Sequence, residues 1–443
     1  MSMNCSNDRN LLINIKSKYI LKQIFDNLKL NKTLNVIRNN KYLLEKLEKD
    51  INDYQKYLQI EIEIEIKENE SCEFINIEEG YESFYHFYLD DNAEEIKLEN
   101  IPKDKKAKNI KIVIDYEVET LAELFLDCKN ITKINFVKYN RKDITDLEGI
   151  FDHCESLEVL NISLLNTDNV ENMKFMFFCC KLLKELNVSN FNTENVIDMS
   201  GLFLDCCSLK ELNISNFNTK KVTEMNGMFC GCNNLQILNI SNLITDNVKD
   251  MSYMFYNCEA LSKLDVSKFN TSKVEKISYM FFGCRLLKEL NVSNFDTSNV
   301  TNMEYLFCNC NLLKELNVSN FNTGKVIDMS NMFFGCYGIK ELNLSNFNTS
   351  NVKRMAYMFN RCESLKVLNL SNFNTTKLIN MSYMFYKCSS LEYLNISNFK
   401  IENSVNTTKM FYGCNLLQNR NDYEKKFYKE INKYNKHNKC ICF

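Results

Sequence analysis

The chain has 443 residues, of which 45% are hydrophobic and 25% are charged, a composition typical of a folded protein rather than a disordered one. Its 54 lysines and arginines nearly balance 57 aspartates and glutamates, so it lacks the overall basic character of nucleic-acid-binding proteins, and we expect no nucleic-acid partner. With three histidines and one proline, it offers few candidates for histidine-based metal or triad chemistry and excludes proline-rich low complexity.

Residues 1–60 are predicted to form an N-terminal helical region, because apolar residues recur at helical spacing from Leu11 to Leu47. The first twenty residues carry Asn, Asp, Arg and Lys where a signal peptide needs an apolar core, which predicts a chain without a signal peptide. One interpretation of these helices is a cap on the domain that follows. In the other, the segments 19–28 and 40–47 are similar to an F-box, which binds the adaptor subunit of cullin-type ubiquitin ligases, although the usual Leu-Pro opening is absent.

Residues 61–109 are predicted to be a capping and transition segment that contains a strand. From Ile60 to Ile66 isoleucine alternates with glutamate, the pattern of a half-buried strand. The row of glutamates predicts that this strand lies at an exposed edge of its sheet.

Residues 110–417 repeat with a period of 26 residues, marked by a column of cysteines. A fixed period between 20 and 50 residues is the signature of a stacked solenoid, in which each repeat buries its apolar face against its neighbours. We number positions within a repeat from its column cysteine as zero. The column consists of Cys128, Cys154, Cys180, Cys206, Cys232, Cys258, Cys284, Cys310, Cys336, Cys362, Cys388 and Cys414.

Other positions of the repeat predict its local structure. Leu or Ile at position 6 and Phe at position 23 recur in nearly every unit, which predicts a continuous core. Alternation of apolar Leu186 and Val188 with polar residues predicts a short parallel strand, and the spacing of Val196, Met199 and Leu202 predicts a short helical or 3-10 turn. Thr193 is expected to cap this turn. At position 25, eight of twelve residues are Gly, Asn or Asp, which favours a left-handed backbone there.

Two polar columns of the repeat have alternative interpretations. The column cysteines are expected to be buried thiols, although one repeat spacing also permits disulfides between neighbours. Asn at position 7 recurs in ten of eleven units, which predicts a ladder of side-chain amides; nine Asn-x-Ser sequons are the alternative interpretation. We expect no metal site, because one member of each close cysteine pair belongs to the core column.

The repeat Leu-Lys-Glu-Leu-Asn-Val-Ser-Asn-Phe-Asp-Thr-Ser-Asn-Val-Thr-Asn-Met at 287–303 resembles the BspA-type leucine-rich-repeat proteins, which are known in bacteria and numerous in protists such as Entamoeba. The resemblance covers residues 110–417. It implies a leucine-rich-repeat solenoid and a role in surface-associated adhesion or protein binding, without naming a ligand.

Aromatic residues at positions 21 and 24 form a second stripe, which is the candidate partner-binding surface because Tyr is enriched at interfaces. Aromatic packing along the edge of the repeats is the alternative. The stripe consists of Tyr253, Tyr256, Tyr279, Phe282, Tyr305, Phe334, Tyr357, Tyr383 and Tyr386.

Residues 418–443 form a basic C-terminal tail that ends in Cys-Ile-Cys-Phe, which fits the C-a-a-X prenylation motif with Cys440 as the lipidated residue. Six lysines precede it, and one lipid with a basic segment is the two-signal arrangement for stable anchoring. This predicts a lipoprotein on the cytoplasmic face of a membrane, with the plasma membrane expected. A frayed basic tail is the alternative.

The sequence therefore predicts a repeat solenoid of leucine-rich-repeat type that acts as a membrane-associated, protein-binding scaffold with an unknown protein ligand. We expect no enzymatic activity and no cofactor, because no set of residues has the arrangement of a catalytic site. The alternative function is an F-box-like substrate receptor of a ubiquitin ligase.

Overall fold

The computed structural model describes residues 17, 20, 21, 23, 24, 51–67, 74–90, 92, 94–97, 109–400, 405–418 and 422–423. Most of the predicted N-terminal helical region lies outside this part of the chain, as do both F-box-like segments apart from single residues. Cys440 and its upstream lysines also lie outside it. Within it, no helix is long and apolar enough to cross a membrane.

A mixed five-stranded sheet precedes and joins the repeats. The elements of this region are helix α1 (Ile51–Leu58), β1 (Ile60–Ile66), a 3-10 turn (Glu82–Phe84), β2 (Tyr85–Leu89), β3 (Asn109–Ile114), β4 (Ile131–Lys138) and β5 (Val159–Asn161). The strand order in the sheet is β2-β3-β1-β4-β5. Neighbouring strands from β2 to β4 pair antiparallel, and β4 pairs parallel with β5, whose register is 26 residues ahead. The sheet thus leads directly into the first repeats.

Strand β1 lies inside this sheet, so its prediction as an exposed edge strand is wrong. It pairs with β3 on one side and β4 on the other, and its isoleucines face the core. The glutamates are tolerated because the neighbouring strands supply lysines: Glu61 contacts Lys111 and Lys138 at 2.6 and 3.2 Å, and Glu65 contacts Lys133 at 2.7 Å. A strand with a row of glutamates can therefore lie inside a sheet when the strands beside it carry lysines.

Successive repeats stack in parallel with a register of 26 residues. Strands β6 (Glu211–Asn213) and β7 (Ile237–Asn239) pair in this register, as do β8 (Val367–Asn369) and β9 (Tyr393–Asn395). At position 18, single parallel bridges continue from Asp146 to Asn406. The chain is therefore a repeat fold built mostly from short strands and turns.

The core is a set of columns that run through all repeats. The position-23 phenylalanines are buried, and consecutive rings from Phe125 to Phe411 stack with centroids 5.5 to 6.1 Å apart. At the C-terminal end, the Tyr423 ring stacks on Phe411 at 6.0 Å and its hydroxyl donates to the carbonyl of Leu394. The predicted phenylalanine column is confirmed, and position 6 is buried apart from the partly buried Leu160, Leu186 and Leu238. The phenylalanine column ends against a residue from the segment predicted to be the tail.

All twelve column cysteines are fully buried, and none of them forms a disulfide among the described residues, which confirms the buried-thiol interpretation there. Each thiol from Cys154 to Cys414 lies 2.9 to 3.3 Å from the carbonyl oxygen of a phenylalanine 29 residues earlier, to which it donates a weak hydrogen bond. The cysteine column therefore joins neighbouring repeats through the backbone of the phenylalanine column.

The segment after each strand forms consecutive turns rather than the predicted helical or 3-10 element. In one repeat the amides of Leu202, Leu204 and Cys206 donate to the carbonyls three residues earlier. Gly201 and Asp205 have φ of +59° and +53°, and a left-handed residue in each turn prevents a helix. Position 25 is left-handed in all twelve repeats, which confirms that prediction, and position 21 is left-handed as well.

One side-chain ladder between repeats runs through threonine at position 13 rather than through Asn at position 7. Buried Thr323 donates to the carbonyl of Asn348 at 2.9 Å and accepts from the Asn348 amide at 2.7 Å, in the next repeat. Thr193 makes the same pair of bonds to Asn218, so it is not a helix cap.

The predicted ladder of position-7 amides is wrong beyond its first step. Asn161 donates to Asn135 at 2.7 Å, but Asn187 and its later equivalents accept a hydrogen bond from the serine amide two residues on. The nearby serine amide satisfies each Asn within its own repeat, because Asn readily forms such local turns.

Candidate functional site

The predicted aromatic stripe is present as two columns of stacked rings. At position 21, Tyr279 stacks on Tyr253 at 4.7 Å and on Tyr305 at 4.6 Å, with nearly parallel planes. At position 24, Tyr256 stacks on Phe282 at 4.6 Å. Tilted contacts of 5.7 to 6.3 Å join the two columns. These five residues form the first aromatic patch.

A second aromatic patch lies nearer the C-terminus. Tyr357 stacks on Tyr383 at 4.8 Å, Tyr383 contacts Tyr386 at 5.5 Å, and Tyr386 stacks on Tyr412 at 5.2 Å. Tyr412, 55% exposed, completes this patch at the last described repeat.

The stripe is interrupted between the two patches. Buried Asn331 replaces an aromatic residue at position 21, and buried Cys308 and Asn360 do so at position 24. Phe334 lies between these gaps, half-buried and without a stacked ring among the described residues. The structure thus divides the nine predicted residues into two separate patches and leaves Phe334 outside both.

The position-21 tyrosines have an unfavourable backbone conformation. Tyr253, Tyr279, Tyr305, Tyr357 and Tyr383 all have φ between +57° and +61°. The left-handed region costs a residue with a Cβ about 1 to 2 kcal/mol, and other repeats place glycine here, for example Gly201 and Gly227. Because the rings are half-exposed, the stripe combines backbone strain with an aromatic surface that is only partly removed from water.

Charged groups flank each patch differently. Glu304 lies beside the first patch, and its pKa is raised by burial and by the nearby Asp328. Burial raises the pKa of Tyr279 and Tyr305, and the Glu304 carboxylate raises it further. At the second patch, Lys387 lies 5.5 Å from the ring centroid of Tyr386, and Lys409 lies 6.0 Å from that of Tyr383. The first patch is therefore edged by an acid and the second by cations.

Phe178 at position 24 extends the predicted aromatic residues into the N-terminal repeats, but its contacts there were not predicted. Phe175 and Phe178 contact each other at 5.5 Å, and His153 packs edge-on against Phe178 at 4.6 Å. The Phe175 ring lies over Gly201, where a Cβ would come within 2.4 Å of ring carbons. A phenylalanine followed 26 residues later by glycine was the sequence signal for this packing.

The described residues contain no set of three or more His, Cys, Asp or Glu side chains placed to hold a metal ion. His153 and Cys179 occupy position 25 of neighbouring repeats, but Nδ1 of His153 contacts Asp152 at 2.6 Å. Burial and the nearby Asp205 raise the pKa of Cys179 to about 12, which keeps the thiol protonated and poorly nucleophilic. What this surface offers chemically is contact through aromatic faces and phenol hydroxyls.

Three comparisons with known proteins bear on the chain. The family model described as "Mycoplasma protein of unknown function, DUF285" matches it four times, over residues 119–236, 206–315, 283–369 and 306–424. No curated protein matches it. A solved structure described as "Crystal structure of TLR13-ssRNA13 complex" is 19% identical, with a TM-score of 0.27 over 62% of this chain and 41% of that one. The chain thus spans less than half of that structure, and so distant a likeness carries no inference about ligands.

Proposed function

Because this chain belongs to the DUF285 family, whose model recurs along its repeats, we propose that it is a non-enzymatic, protein-binding scaffold with a solenoid of leucine-rich-repeat type. Its ligand is a protein that docks on the aromatic stripe. The scaffold is associated with the cytoplasmic face of a membrane through the C-terminal tail, whose Cys440 lies outside the described residues. The F-box-like alternative concerns segments that, apart from single residues, lie outside the described part of the chain.

The strained tyrosines at position 21 are the observation that supports protein binding. Glycine would adopt the same backbone without cost, so a stability argument alone favours Gly over Tyr at Tyr253, Tyr279 and Tyr305. Stacking returns about 0.5 to 1.5 kcal/mol per ring pair, similar to the strain, and the stacked rings stay partly exposed. Backbone strain at a partly exposed surface is typical of residues that serve a binding site.

Site-specific photo-crosslinking tests this proposal. A photoreactive phenylalanine analogue replaces Tyr279 in the first aromatic patch or, as a control, Ile237, which is 57% exposed on strand β7. In cells that produce the chain, we expect a discrete cross-linked protein from position 279 that disappears when Tyr253 and Tyr305 are changed to serine. Equal cross-linking from both positions, or a product that survives the serine substitutions, would contradict docking on the stripe.

A further inference from the structure

One lateral edge of the stacked repeats is formed by positions 14 to 18. The backbone at position 17 is hydrogen-bonded from each repeat to the next: the Lys353 amide donates to the carbonyl of Ile327 at 2.8 Å, and the Ile379 amide donates to that of Lys353 at 2.9 Å. These three side chains are therefore neighbours about 4.8 Å apart. All three are exposed, with Ile327 at 41% and Ile379 at 49%.

From Asn195 to Lys377, asparagine and lysine alternate at position 15 along this edge. Lys325 donates to Asn299 at 2.8 Å and Lys377 donates to Asn351 at 2.8 Å, each across one repeat boundary. The asparagines in turn donate to a carbonyl of the preceding repeat. This alternation keeps the lysines two repeats apart and fixes their ammonium groups at the surface.

The charge of the edge changes sign along the molecule. Over positions 14 to 18, the three repeats from 168 to 224 carry five acidic side chains and two basic ones, and the three from 246 to 302 carry three of each. The three from 324 to 380 carry four basic side chains and one acid, Asp328, which contacts Arg354 at 3.4 Å. We call the last region the basic edge patch; it consists of Lys325, Ile327, Lys353, Arg354, Lys377 and Ile379.

We propose that the basic edge patch docks on the anionic surface of a membrane, with Ile327 and Ile379 entering the headgroup layer and the lysines lying at the phosphates. This rests on the proposed membrane association and adds to it a contact made by the folded repeats themselves. Lysines interspersed with exposed aliphatic side chains match a lipid surface, which offers both charge and apolar depth. The patch lies in the C-terminal part of the repeat region, which the basic tail follows in sequence.

The gradient along the edge orients the molecule. The acidic N-terminal repeats are repelled by the same leaflet that attracts the basic edge patch, so the chain attaches by its C-terminal repeats. The N-terminal repeats and their aromatic side chains then extend away from the surface. An edge of uniform charge would give no such preference.

Vesicle sedimentation of the full chain with Cys440→Ser, which carries no lipid, tests the proposal. The probe is phosphatidylcholine vesicles with and without phosphatidylserine. Lys325→Gln, Lys353→Gln and Lys377→Gln are combined in one variant. Its matched control combines Lys221→Gln, Lys249→Gln and Lys273→Gln, which occupy positions 15, 17 and 15 of neutral and acidic repeats. Each lysine near an anionic leaflet strengthens binding about fivefold, so the first variant should bind phosphatidylserine vesicles about a hundredfold more weakly and the control less than about threefold.

Folding and tail effects are separated by the controls. Each triple variant loses two lysine-asparagine bonds. Equal midpoints of thermal unfolding therefore show that both variants remain folded. Equal binding of the first variant and the starting chain would assign all binding to the tail and overturn the proposal. Unchanged vesicle binding, with loss of a protein cross-linked from a photoreactive residue placed at Ile327, would make the edge a protein surface and also overturn it. Neither result affects docking on the aromatic stripe, which the cross-link from position 279 tests separately.

Discussion

The position-21 tyrosines show how a single residue can be held in an unfavourable conformation by its neighbours. The Tyr279 amide donates to the carbonyl of Glu304 in the next repeat at 3.0 Å, and the Tyr305 amide donates to that of Ser330 at 3.0 Å. These bonds fix the backbone direction whatever side chain is present. The left-handed φ is therefore a property of the stack, and tyrosine is accommodated in it.

We expect Tyr279→Gly to be more stable than Tyr279→Ala by about 1 kcal/mol, because both lose the ring but only glycine is free of the left-handed cost. Urea unfolding of the two variants measures the difference. Lys288, exposed and without a positive φ, serves as the control position, where alanine should be the more stable of the two. Alanine more stable at both positions would refute backbone strain at Tyr279.

The two left-handed positions differ in how far the sequence predicts them. Position 25 holds Asp127, Gly231, Asn257 and similar residues whose own preferences indicate the conformation. Position 21 holds Glu, Gly, Phe, Tyr, Asn and Lys, which share no such preference, and its conformation is imposed by hydrogen bonds between repeats. The sequence predicts the aromatic stripe but not the left-handed backbone of its tyrosines. The stacking distances show that the stripe is divided into two patches at Asn331.

At the scale of the repeat, the buried threonine at position 13 connects one unit to the next. Its hydroxyl is both donor and acceptor to a single residue of the following repeat, as in Thr323 with Asn348. The hydrophobic period of the sequence does not predict this contact. Threonine at position 13 and asparagine at position 7 both recur, and the burial of the threonine is what makes it the side chain that bonds to the next repeat. That is why a ladder was predicted at position 7 and is found at position 13.

Thr323→Val should destabilise the chain by about 1 to 3 kcal/mol, because valine keeps the shape but leaves the amide and carbonyl of Asn348 without their partner. Chemical denaturation of wild type and variant measures this loss. Thr301→Val is the matched control on an exposed side chain and should change stability by less than about 0.5 kcal/mol. A similar effect of both substitutions would show that the buried hydroxyl contributes nothing specific.

At the scale of the whole molecule, the column of buried thiols links stability to pH. Burial raises the pKa of Cys284 and Cys336 to about 12, and raises the pKa of most other column cysteines well above the ordinary value. An unfolded thiol loses its proton near pH 8.5, whereas the folded one keeps it. The stabilisation is thus complete below pH 8.5 and is lost as pH rises toward 12.

We expect the urea midpoint to be nearly constant from pH 7 to 8.5 and to fall steeply by pH 10, since each thiol contributes about 1.4 kcal/mol per pH unit. Denaturation at these three pH values tests this. Cys284→Ala should be less stable at pH 7 but should show a pH slope shallower by about one thiol. A flat profile to pH 10 would mean that the thiols ionise equally in both states.

The alternation of lysine and asparagine at position 15 bears on how the chain finds its register during folding. Repeats with identical phenylalanine, cysteine and threonine columns can stack on the wrong neighbour with little loss of core contact. Skipping one repeat would bring Lys221 beside Lys273 and leave Lys273 without Asn247, whose side-chain oxygen it contacts natively. Skipping two would restore a lysine beside an asparagine. The alternation therefore disfavours stacking that skips an odd number of repeats. Stacking that skips an even number must be disfavoured by other residues.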